Sequence, residues 1–170
     1  QVQGFQNTDK REGRKMKTAL FGLLLSVASY SHGVELATCR APTGKSYYHY
    51  SGLSEKKAAG WSDDKISNAV FTLTQGTDGS LDVLFVDGRG KPVSSAQDGA
   101  LVRLLRRGES SISLLGFYPS NSTEIYTFFL EKDGATKFTM MQSRSGDGVP
   151  FPKNSLLVGL CDQIRFELLK

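Results

Sequence analysis

The chain has 170 residues, a formal net charge of +4, two cysteines and two histidines. That length suits a single domain, and the well-separated cysteines and histidines give no pair at metal-ligand spacing, so zinc is not expected. The basic balance is mostly local: Lys10, Arg11, Arg14, Lys15 and Lys17 face only Asp9 and Glu12 within residues 1–33, which leaves the remainder near neutral and without the basic stripe of a nucleic-acid binder.

Residues 1–15 are polar and charged, with no apolar periodicity. They read as a disordered upstream extension of a chain that starts at Met16; the other reading is a long charged leader. Met16-Lys17-Thr18, the apolar run Ala19 to Ala28, and the small and polar stretch Ser29 to Gly33 follow one another in the order of a secretory signal peptide. The apolar run is shorter than the ~20 residues of a membrane-crossing helix, and nothing downstream is longer, so no transmembrane span is expected. Cleavage fits after Ser31, Gly33 or Ala37. The expected organisation is an extension (1–15), a signal peptide (16–33) and one disulfide-pinned β domain (34–170), delivered to the periplasm or secreted.

Cys39 and Cys161 stand near the two ends of that domain. In an exported chain an even cysteine count reads as a disulfide. Closing so long a loop stabilises the fold by ~4–5 kcal/mol on the chain-entropy account. Leu36-Ala37-Thr38-Cys39 also resembles a lipoprotein processing box, although Thr38 departs from the small residue such a box carries before its cysteine. Lipidation of Cys39 would leave Cys161 a free thiol.

After Cys39 the elements follow in order. Tyr47, Tyr48 and Tyr50 are strand-prone. Ser54 to Ala59 predicts one short N-terminal helix, capped by Ser54 and stopped by Gly60. Ala69 to Gln75 predicts a strand with Val70, Thr72 and Thr74 on one face and Phe71 and Leu73 on the other. Leu81 to Val86 is apolar on both faces, which suits a central strand. Leu101 to Leu105 is next, with Arg103, Arg106 and Arg107 read as a solvated strand end. Ile112 to Tyr118 follows, and Glu124 to Leu130 pairs with Thr136 to Met141 across Lys132-Asp133-Gly134. Residues 143–154 read as a loop. Leu156 to Cys161 and the alternating Ile164 to Leu168 finish the chain. Asp-Gly pairs at Asp78, Asp87, Asp98, Asp133 and Asp147 supply tight turns, because glycine takes positive φ without steric cost. Roughly eight short strands with such turns predict an all-β antiparallel meander, as a small barrel or a two-sheet sandwich.

No motif assigns a catalytic role. His49 is the single histidine beyond the leader, and no Gly-x-Ser-x-Gly elbow accompanies it. Gly88-Arg89-Gly90-Lys91 lacks the spacing of a phosphate loop, and the Asp-Gly turns lack the alternating acids of a calcium loop. No cofactor or metal is expected. Most aromatic rings are needed to fill the core, but Tyr47, Tyr48, His49, Tyr50 and Trp61 form a candidate ligand-binding set. The expected function is an exported, non-catalytic binding module. It would take either a small apolar ligand or, in the manner of an inhibitor, an exported protein partner. The alternative is a hydrolase whose carboxylates show no motif, with Asp82, Asp87 and Glu124 as candidates. Export with cleavage predicts that intact-mass analysis of the released protein places its N-terminus between His32 and Thr38; a full-length chain retained in the cytoplasm would contradict it.

Overall fold

A computed structural model of the protein describes residues 33–53, 55–86, 90–119 and 121–169. The expected extension, the expected signal peptide through residue 32, Ser54, Asp87, Gly88, Arg89, Ser120 and Lys170 lie outside the described residues. Among the described residues ten strands form: β1 (Val34–Tyr48), β2 (Gly60–Lys65), β3 (Val70–Gln75), β4 (Leu81–Val86), β5 (Pro92–Ser94), β6 (Leu101–Arg107), β7 (Ser111–Tyr118), β8 (Ser122–Leu130), β9 (Thr136–Arg144) and β10 (Lys153–Ile164). Nine of them run β5-β4-β3-β1-β10-β9-β8-β7-β6, and β2 pairs with β1 off that path. Every pairing is antiparallel. The sheet curls into a half-barrel, which settles the choice between barrel and sandwich in favour of a single curved sheet.

Strand alternation builds the core. Phe71 and Leu73 point inward from β3 as the period-two pattern requires, and they join Leu36, Val83, Ile112, Leu114, Phe128, Phe138 and Leu157. Phe138 is the centre of a ring stack, with centroids 5.2 Å from Phe71 and 5.8 Å from Phe128. Gly159 lies opposite Phe138 on β10, where an added Cβ would come within 2.3 Å of the ring. A glycine is therefore required for the ring to lie flat on the sheet.

β1 bends where it changes partner. Its first half, Val34 to Arg40, pairs with β3, and its second half, Thr43 to Tyr48, pairs with β2. Between them Ala41 and Pro42 interrupt the β10 register, which resumes from Arg40↔Leu160 at Thr43↔Val158. Two residues thus oppose Gly159, which is a β-bulge. Ala41 takes φ 43°, a left-handed conformation that alanine adopts only under constraint. The constraint is visible: the Ala41 amide donates to the Ala69 carbonyl at 2.9 Å, and the Ile66 amide donates to the Pro42 carbonyl at 3.0 Å.

Three expectations are corrected. The helix over Ser54–Ala59 is a single 3-10 turn at Lys56–Ala58 with no buried residue, because so short a segment without an apolar face has nothing to offset helix nucleation. Leu81–Val86 is not central: β4 lies next to the edge strand β5, and only Val83 is fully buried. Ile164–Leu168 does not continue as a strand. β10 ends at Ile164 and a 3-10 turn spans Phe166–Leu168. The turn packs Phe166 and Leu169 against the core, and Arg107 donates to the Leu169 carbonyl at 3.0 Å. The C-terminal turn therefore covers the end of the half-barrel at which β1 begins. The rest of the Arg103–Arg107 cluster lies on the exposed edge strand β6, and charge on an exposed edge discourages further strand pairing.

Cys39 and Cys161 are direct register partners on β1 and β10 and form a disulfide across 122 residues of chain. Both are buried, so Cys39 has no thiol left for lipid. Among the described residues no helix is long and apolar enough to cross a membrane. Replacing both cysteines with alanine is expected to lower the unfolding free energy by about 4 kcal/mol. Urea unfolding of the double variant under oxidising conditions measures it, and wild type in reductant should match the variant.

Candidate binding cavity

The inner face of the sheet changes character along the strands. One row, Leu157–Met140–Tyr126–Leu114, is apolar apart from a single hydroxyl. One step further, towards the end away from the C-terminal turn, the inward positions are Ser46–Ser155–Gln142–Glu124. The step after that carries Tyr48–Lys153–Arg144–Ser122–Tyr118. Because alternate residues share a face, these polar side chains occupy positions in phase with the core.

Part of this polar band walls a cavity of about 580 Å³, within the usual range for small-ligand sites. Phe71, Phe85 and Met140 form its apolar floor, Glu124, Gln142 and Arg144 stand in its wall, and Asp98 and Asn121 edge it. The segment between β2 and β3 supplies a lip. There Asn68 takes φ 61°, a conformation asparagine tolerates better than most residues.

Glu124 is only 9% exposed, and it is fully engaged. Its Oε1 accepts from Gln142 Nε2 at 2.7 Å and from Ser122 Oγ at 3.3 Å, and its Oε2 accepts from the Tyr126 hydroxyl. Burial, reinforced by the Glu124 charge and by donation to it, holds the Tyr126 phenol well above its ordinary range. Burial also raises Tyr118, with the Ser95 hydroxyl opposing the shift and Glu124, Asp98 and Asp82 adding to it. Both tyrosines therefore stay protonated at neutral pH, and Tyr126 donates to Glu124. Arg144 is half-buried, and its guanidinium makes no hydrogen bond or ion pair among the described residues.

A second polar cluster adjoins the band. The adjacent Asp63 and Asp64 read as solvated in the sequence, yet only Asp63 is: it pairs with Lys45 at 2.6 Å on the exposed face. Asp64 points inward on β2. Its Oδ2 accepts from Ser46 Oγ at 2.5 Å and Lys153 Nζ at 2.8 Å, and its Oδ1 accepts from the Lys65 amide at 2.9 Å. Ser46 and Ser155 are themselves 2.6 Å apart. Burial pushes the Asp64 carboxyl up, but the Lys153 ammonium, the Ser46 hydroxyl and the Lys65 amide together bring it below its ordinary value.

The aromatic set is divided by the same alternation. Tyr47, His49 and Trp61 meet on the outer face, with Tyr47 centred 5.5 Å from Trp61 and 5.4 Å from His49, both edge-on. His49 Nε2 lies 2.9 Å from Asn154 Nδ2. Tyr48 turns to the inner face, 5.6 Å from Lys153 Nζ. Tyr50 is exposed just beyond the end of β1. None of the five lines the large cavity. Of the three acids, Glu124 does. Asp82 instead pins the β5 turn, accepting from the Val83 and Ala96 amides and the Ser94 hydroxyl, and Asp87 lies outside the described residues. Sequence reasoning missed Tyr118, Tyr126, Gln142 and Arg144. The available signal was phase: each sits at the inward position of a strand whose other inward residues are core.

No protein-family model, no curated protein and no solved structure matches the chain.

Asp64 gives a pH test. Its carboxyl is lower in the folded protein than its ordinary value of 3.8, so its contacts stabilise the fold above that value and are lost as pH falls through the lower folded one. Asp64→Asn is expected to lose about 1–3 kcal/mol at neutral pH. The gap to wild type should narrow as pH falls below 3.8, as read from urea midpoints across the acid range.

Proposed function

We propose that the protein is an exported, non-catalytic binding module that holds a small, largely apolar molecule in the open cavity of its half-barrel. The observation that carries this reading is the cavity itself: an apolar floor of Phe71, Phe85 and Met140 beneath a wall of polar side chains. Such a combination buries the body of a ligand and orients its polar end. The buried disulfide supports export, because bonds of this kind persist in oxidising compartments.

The chemistry of the wall favours binding over turnover. Glu124 accepts three hydrogen bonds from Tyr126, Gln142 and Ser122, an arrangement that fixes a carboxylate in place, and Asp82 is spent on the β5 turn. Glycoside hydrolysis by two acids needs both carboxylates to flank one bond, and this wall presents Glu124 with its oxygens occupied.

A second reading, a protein partner, draws support from the outer face. Trp61 is 72% exposed beside Tyr47, and Leu156, Val158 and Leu160 are exposed on neighbouring β10. Clustered exposed apolar side chains of this kind mark interaction surfaces.

The test separates the readings. Native mass spectrometry of the exported protein is expected to show a co-purified small molecule, lost in Ser122→Trp, which fills the cavity wall, and retained in Trp61→Ala. A partner captured by wild type and lost in Trp61→Ala alone would favour the protein-binding reading. Turnover of a hydrolase substrate that disappears in Glu124→Ala would overturn both.

A further inference from the structure

We propose that the cavity is specific for an amphiphile with a single oxyanion head, a carboxylate or phosphate, seated on Arg144. This deepens the carrier reading and rests on it. The inference follows from which charges around the cavity are already answered. Lys153, the register neighbour of Arg144 on β10, gives its ammonium to Asp64 at 2.8 Å. Glu124 is held by Tyr126, Gln142 and Ser122. Asp98 edges the cavity from the exposed β5–β6 turn, where water and salt screen it. Arg144 alone carries a half-buried charge with no partner among the described residues.

A partly desolvated guanidinium without a counter-charge is unfavourable, and its planar fork matches an oxyanion bidentately. Asn121 lines the same wall and adds an amide. The geometry then gives the ligand one orientation. The head lies at the open end beside Arg144, and the apolar body runs down over Met140 to Phe71 and Phe85. Glu124 has a positioning role in this arrangement. It holds Gln142 and Ser122, the residues that flank Arg144 on β9 and β8, and it repels an anion that enters too deeply.

The experiment compares three probes of equal chain length, decanoate, decanol and decyltrimethylammonium, by isothermal titration calorimetry with the delipidated protein. Decanoate is expected to bind at least about tenfold more tightly than the other two, the order expected for a charge-assisted pair. Arg144→Gln should abolish that preference, bringing decanoate to the level of decanol, and Arg144→Lys should restore part of it. If Arg144→Gln fails to fold, wild type decides: rising salt should weaken decanoate and not decanol. A preference for decyltrimethylammonium, lost in Glu124→Gln, would overturn the head-group assignment and leave the cavity reading standing. Binding of decanoate that is indifferent to both Arg144→Gln and salt would likewise overturn it. Failure of all three probes to bind would overturn the carrier reading itself.

Discussion

The pairing of β1 with β10 is the contact on which the rest of the molecule depends. These strands come from opposite ends of the domain and lie side by side within the sheet. Every other ladder joins strands that are neighbours in the chain, or near neighbours reached within one short excursion. Local hairpins close cheaply, but a contact between distant strands carries the full loop-closure entropy before it returns any stability. The Cys39–Cys161 bridge spans this one pairing. It removes that entropy from the unfolded chain at the place where it is greatest. Without the pairing, β3-β4-β5 and β9-β8-β7-β6 would be two separate ribbons, each with an open edge.

The two ends of the half-barrel differ because the central strands are not regular. At one end the chain beyond β10 tucks Phe166 and Leu169 against the core and is tied to β6 through Arg107. At the other, the Ala41-Pro42 bulge opposite Gly159 turns β1 away from β3 and onto β2. The lip at Ile66–Ala69 hangs from the same bulge through the bonds to Ala69 and Pro42. One covered end and one divided end produce a cup, and the cavity lies at the divided end.

Inside the cup the boundary between the apolar core and the polar wall of the cavity falls between Tyr126 and Glu124, two residues apart on one strand. Tyr126 packs its ring 6.0 Å from Phe71 and sends its hydroxyl to Glu124. Every buried side-chain polar atom among the described residues has a partner. The polar band is therefore a finished network that rigidifies the wall, since a half-satisfied one would be worse than an apolar surface. Arg144 stands at its margin, half-buried in the cavity wall.

Much of the strand framework was legible in the sequence because it rests on local rules. Alternation along Ala69–Gln75 placed Phe71 and Leu73 inside, and the pairing of Glu124–Leu130 with Thr136–Met141 across an Asp-Gly turn was readable from turn chemistry. Gly79, Gly99, Gly134 and Gly148 all take the positive φ that such turns need. The even cysteine count was enough to pair Cys39 with Cys161. What failed was also local. The long β1 was not read as one strand, because the Ala41-Pro42 bulge interrupts its alternation. Asp64 looked solvated because its partners, Ser46 and Lys153, are distant in the chain.

The sequence by itself determined the class of structure: strand period, turn positions and one covalent link are properties of short segments and of residue chemistry. Only the tertiary structure decided where a site lies. Tyr47, Tyr48, His49 and Tyr50 are neighbours in the chain, but the pleat sends Tyr47 and His49 outward and Tyr48 inward. Tyr118, Glu124, Gln142 and Arg144 come from three strands, and they meet because the register of β7, β8 and β9 aligns their inward positions. Register is a property of paired strands, set by packing over the whole sheet, and no single segment contains it.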